Sequence, residues 1–197
     1  AKNDALVQGA LDEVRSAYAS ADVDIGDVRY DDVDESFQHV DLVQNECNGG
    51  DLDRVVASGQ GAPGVDLFFV DGFTCLVGQS GTDVGTSIGG IAAGLPGPPF
   101  VRGTTHAGVA VSTSFSAGDP KPLGVVMAHE TGHFLGLYHT RESGAGVDVI
   151  FDEIDDTPNN SDAVDNLMYF ANQDDTSLTD DQAHVIRTNP FVTYVDR

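Results

Sequence analysis

The stretch HETGHFLGLYH, residues 129–139, holds three of the six histidines in the chain. It lies in the mostly apolar run LGVVMAHETGHFLG, residues 123–136, preceded by Asp119 and Pro120. An acidic cap followed by proline suits a helix start, and the apolar character predicts a buried helix that ends at Gly136. On such a helix His129 and His133 are one turn apart on the same face. Both imidazoles can therefore reach one cation at a zinc–nitrogen distance of about 2.0–2.1 Å. Gly136 permits the positive backbone dihedral that turns the chain aside, so that His139 returns as a third ligand although it is off the helical register. Three neutral histidines leave one position open on zinc, as in catalytic rather than structural sites. Glu130 lies beside the ligand face. It is badly placed as a fourth ligand, but its carboxylate can hold a zinc-bound water and act as general base. An inert core would use apolar residues at these positions.

Outward from this segment the chain reads as a mixed α+β protein. Val7, Leu11, Val14 and Tyr18 recur at spacings of four, three and four, predicting a helix from about Asn3 to Ser20. Strands are expected at Val23 to Tyr30, with a bulge at Gly26 and Asp27, and at Val65 to Val70. Asp51 could cap a short helix carrying Leu52, Val55 and Val56. Val109, Val111, Thr113 and Phe115 alternate with small residues and give the clearest strand, within 107–115. The Gly- and Pro-rich stretch from Asp71 to His106 reads as surface loop with a short edge strand inside. It carries no lysine and no phosphate-cradling pattern. Residues 140–177 are acidic and loop-like, and Thr179 with Gln182 forms a capping signal for a last helix stopped by Pro190.

The chain has 197 residues, 9 Lys plus Arg against 32 Asp plus Glu, and a formal charge of −23. Such a balance excludes phosphate backbones and anionic lipid surfaces as partners. No run approaches the roughly 18 apolar residues that a membrane span requires. The acid excess has three readings: a solubilising surface, adaptation to high salt, or oxygen-rich calcium sites. Asp148, Asp152, Glu153, Asp155, Asp156, Asp162 and Asp165 concentrate carboxylates in one loop-rich segment. A bound calcium is expected there. Cys47 and Cys75 are the only cysteines. They are too few for a four-thiolate metal site, and in an exported protein they would form a disulfide.

With the long histidine motif in hand, the sequence resembles the metzincin clan of zinc metallopeptidases. Asn166-Leu167-Met168-Tyr169 looks like the clan's Met-turn, with Met168 as the hydrophobic base beneath the histidines. HETGHFLGLYHT, then Asp156-Thr157-Pro158, the Met-turn and a terminal L-T-x-x-Q helix are most similar to pappalysin-type enzymes and their bacterial and archaeal relatives. The likeness covers roughly residues 119–190. It implies a zincin-like fold in a single catalytic domain: an upper subdomain to about residue 136, with a twisted, mostly parallel sheet, a backing helix and an active-site helix, and an irregular lower subdomain over 137–197. It implies a secreted zinc endopeptidase whose protein or peptide substrate lies extended in the cleft and pairs with an edge strand. Where several relatives carry Met-x-Tyr, this chain has Phe170 and places Tyr169 one residue early. Asp174 and Asp175 fall near the clan's pocket for the residue after the scissile bond, where either could select Arg or Lys. The rival reading is a noncatalytic, calcium-rich binding module on the same scaffold.

Overall fold

The computed structural model describes residues 2–60, 64–142, 149–158, 164–171 and 174–194. Helix α1 spans Ala5–Ala19, capped by the Asp4 carboxylate, which accepts from the backbone N–H groups of Leu6 and Val7. Val7, Leu11, Val14 and Tyr18 are buried along one stripe, as their spacing predicts, with Ala10 and Ala17 beside them. Residues 23–30 form no strand, contrary to expectation. Gly26 and Asp27 break the alternation there, yet Val23, Ile25, Val28 and Tyr30 still pack against the core.

The remaining elements follow in order. Strand β1 is His39–Asp41 and helix α2 is Asp51–Ala57. The next six strands are β2 (Leu67–Val70), β3 (Gly72–Thr74), β4 (Leu76–Val77), β5 (Thr82–Asp83), β6 (Gly90–Ala92) and β7 (Val109–Ser112). Helix α3 is Pro120–Phe134, followed by β8 (Arg141–Glu142), β9 (Ile150–Phe151) and α4 (Asp180–Thr188). The Gly-rich stretch before β7 thus contains four short strands rather than one. Asp51 does not cap α2. The cap position is Gly50, at φ 68°, where a Cβ would lie 2.6 Å from the Asp41 carbonyl oxygen, so only glycine fits. Asp51 pairs instead with Arg54 at 3.0 Å.

The run 67–74 changes partner at Asp71. Before it, β2 lies parallel to β7, and after it, β3 lies parallel to β1. On the other side of β7, β6 is antiparallel and forms the sheet edge, giving the order β2-β7-β6. β4 with β5 and β8 with β9 make small antiparallel hairpins. The central strand β7 is buried on both faces, which fits its apolar Val109-Ala110-Val111 run. Val109 and Val111 face α1 and α3, whereas Ala110, Phe68 and Val70 face α2 and β1. Among the described residues no helix is long and apolar enough to cross a membrane.

Candidate metal centre and active site

Helix α3 begins as its sequence predicts. Asp119 caps it by accepting from the Lys121 N–H, and Pro120 occupies the first turn, where no donor is lost. From Leu123 to Phe134 every residue is buried. The helix stops because Gly136 adopts φ 111°, and the N–H groups of Gly136 and Leu137 return to the carbonyls of His133 and Gly132, each at 2.9 Å. This paired closure satisfies orphan carbonyls and redirects the chain toward His139.

The three imidazoles meet there. The Nε2 atoms of His133 and His139 are 3.0 Å apart, and those of His139 and His129 are 3.1 Å apart. Each ring has its other nitrogen engaged by an oxygen that only accepts. His129 Nδ1–H donates to the Leu167 carbonyl at 2.6 Å and His133 Nδ1–H to the Leu137 carbonyl at 2.7 Å. His139 Nδ1–H donates to the Glu142 carboxylate. With every Nδ1 a donor, all three Nε2 atoms carry lone pairs, and these point at one another. No hydrogen bond joins lone pairs, so the cluster calls for a cation. The spacing is close to the roughly 3.3 Å between ligand nitrogens of a tetrahedral zinc with Zn–N of 2.0–2.1 Å. Burial pushes the His129 imidazole down to about 3 and His133 to about 4, which keeps both neutral, as metal ligation requires.

Glu130 is not part of that cluster. Its Oε2 accepts the Ala92 N–H of edge strand β6 at 2.8 Å, which holds the carboxylate against the edge strand. Desolvation raises its pKa to about 8.

Met168 is fully buried beneath α3, and a Cβ on Gly132 would come within 2.6 Å of its sulfur. The turn that carries it closes with Tyr169 N–H donating to the Asn166 carbonyl at 3.1 Å. Asn166 and the buried Gln182 exchange two side-chain hydrogen bonds, at 2.8 and 3.1 Å. Gln182 also completes the capping box of α4 with Thr179. Sequence reasoning found that cap but missed its second use, which is to brace the turn that carries Met168 and, through Leu167, the His129 ring. It also missed Leu137 and Glu142, whose only signal is their nearness in sequence to the histidines. Phe170 faces the site, its ring centre 6.4 Å from that of His139.

Among the described residues, the acidic side chains of this segment form no group of three or more able to share one metal ion. Asp148 and Asp162 lie outside the described residues. Asp152 and Asp156 are close enough to interact, and the Asp152 pKa is raised chiefly by desolvation. One Asp152 oxygen, Oδ1, accepts from Ile154 N–H and from the Thr157 hydroxyl, while Oδ2 is buried without a partner. Asp156 accepts the Asp181 N–H at the start of α4, and Glu153, Asp155 and Asp165 are exposed. Asp174 lies 3.6 Å from Lys121 in the first turn of α3, about two turns from His129. Asp175 accepts the Ser177 N–H at 2.6 Å. Cys47 and Cys75 are joined as a disulfide.

No curated protein and no solved structure matches the chain. Residues 108–196, somewhat under half of it, match the peptidase family described as pregnancy-associated plasma protein-A. The matched stretch contains the three convergent histidines, Glu130 and Met168, and it supports a metzincin-type zinc metallopeptidase family for this protein.

Proposed function

We propose that this chain is a secreted zinc endopeptidase with Glu130 as general base. The observation that carries the reading is the convergence of three Nε2 lone pairs beside a desolvated carboxylate held at a sheet edge. His129, His133 and His139 would hold zinc, which would supply Lewis-acid polarisation of the scissile carbonyl and a lowered pKa, toward about 7, for a bound water. Glu130 accepts a proton from the attacking water on its carboxylate and delivers it to the leaving amine nitrogen. Met168 fills the space under the imidazoles and keeps water from their rear face.

The backbone groups of Ile91 and its flanking partners pair with β7, with Ala93 N–H donating to the Gly108 carbonyl at 3.0 Å and Ser112 N–H to the Gly89 carbonyl at 2.8 Å. Gly90 therefore turns its own polar groups, and Ala92 its carbonyl, to the open edge, the Ala92 N–H being held by Glu130, and an extended peptide would add there as a further strand. On this reading residues to about 136 would form the upper wall of a substrate cleft, and the described residues after Gly136 the lower. Asp174 and Asp175 would act on a basic residue after the scissile bond, and a library profile with an apolar preference there removes that role. Calcium is proposed at Asp152 and Asp156 on the strength of the partnerless Asp152 Oδ2. The disulfide supports an oxidising compartment.

The deciding experiment is hydrolysis of a denatured protein by the purified chain, expected to be abolished by a chelator and restored by zinc. A chain that binds zinc and cleaves nothing would instead be a binding module.

A further inference from the structure

The three imidazoles are held unequally. His129 and His133 donate to backbone carbonyls of Leu167 and Leu137, both residues fully buried. His139 alone is held by a side chain, the carboxylate of Glu142, which is 60% exposed. We propose that Glu142 is the positioning residue for the third zinc ligand, fixing the His139 tautomer and strengthening it as a donor to the metal. The inference rests on the zinc reading of the site but not on the reaction that the site performs.

Three features support it. The carboxylate meets Nδ1, on the side of the ring away from the shared Nε2 point, so Glu142 acts through His139 rather than as a ligand itself. The backbone that carries it is anchored although the side chain is exposed. Glu142 pairs with Ile150 and Arg141 with Phe151 in the β8–β9 ladder. Just before them, Thr140 N–H donates to the Met168 carbonyl at 3.0 Å, and the Thr140 carbonyl accepts from Asp152 N–H at 3.3 Å. The chain two residues before Glu142 is therefore tied to the turn that carries Met168, and the β8–β9 pairing holds the Glu142 backbone itself. Finally, a carboxylate acceptor makes an imidazole a stronger ligand than a neutral carbonyl does. The least buried of the three rings is the one that has this partner.

The test compares Glu142→Ala and Glu142→Gln with Glu46→Gln, an exposed acid remote from the site. Zinc affinity is measured by competition with a chromophoric chelator. The His139 tautomer is read from long-range nitrogen–proton correlations in chelator-treated protein. Glu142→Ala should weaken zinc binding about 10–100-fold and move His139 away from the Nδ1–H form. Glu142→Gln, which keeps an acceptor but no charge, should lose less than the alanine variant and hold the tautomer. Melting of the chelator-treated variants should match the parent, because the side chain is exposed. Zinc affinity and tautomer in Glu142→Ala equal to those of Glu46→Gln would overturn the role, whatever the peptidase activity. If the parent fails to cleave any peptide while Glu142→Ala still weakens zinc, the endopeptidase reading falls and the role of Glu142 stands.

Discussion

The Tyr18 hydroxyl of α1 donates to the Ala128 carbonyl of α3 at 2.9 Å, inside the core and one residue before His129. This bond spans 110 positions of sequence and sets the depth at which α3 lies on α1. Tyr18→Phe should cost about 0.5–1.5 kcal/mol, measured by denaturant unfolding, since the Ala128 carbonyl keeps its place in the helix ladder. Burial pushes the Tyr18 hydroxyl well above its ordinary value of 10. The stabilising contribution is fully present below that value and is lost as pH rises beyond it, because only the unfolded chain ionises there. In an alkaline spectroscopic titration one of the five tyrosines should ionise only with unfolding. Early titration of all five contradicts the geometry.

Replacing Glu130 separates binding from catalysis. In Glu130→Ala the three imidazoles remain, so zinc content should match the parent, while turnover falls by at least the roughly 10²–10⁴-fold expected for loss of a general base. Near-normal turnover, or loss of zinc together with activity, would mean that the carboxylate has another role.

Gly132 and Met168 make a contact with no room to spare. A Cβ on Gly132 would lie 2.6 Å from the sulfur, so Gly132→Ala should destabilise by about 1–3 kcal/mol through overpacking and weaken zinc binding as the Met-turn moves. The same substitution in a Met168→Ala background should cost less. Additive effects in that double-mutant cycle would show that the two residues do not touch.

The Cys47–Cys75 bridge encloses a separation of 28 residues. Loop-entropy arguments put its contribution at about 3.5 kcal/mol. Thiol titration of the denatured, unreduced protein should find none free, and Cys47→Ser with Cys75→Ser should melt lower while keeping zinc affinity. Cys75 packs in the cluster on the α2 side of the sheet, away from the imidazoles.

Asp152 carries a raised pKa because it is desolvated. Its charge therefore costs stability as pH rises past the ordinary carboxylate value, and a bound calcium would offset that cost. Saturating calcium should raise the melting temperature at neutral pH and lose the effect in Asp152→Asn. An unchanged melt, with no calcium by metal analysis, leaves these acids as a solvated face.

Residues 119–136 and 179–190 were legible from the sequence because their signals are local. The cap at Asp119, the stop at Gly136 and the Thr179–Gln182 box are hydrogen bonds within a few residues, so residue type and spacing determine them. The histidine spacing likewise determined which rings could meet, through helical period and one glycine. Tertiary structure decided how those rings are held. Leu167 reaches His129 across 38 positions and Gln182 reaches Asn166 across 16, pairings that depend on which surfaces pack and not on any pattern along the chain. A short edge strand was expected somewhere in 71–106, but its place at 90–92 was not readable because glycine and alanine give little strand signal, and pairing with β7 alone makes it a strand. At 23–30 the alternation was readable, but hydrogen bonds to a neighbour define a strand, and there the apolar side chains reach the core without them.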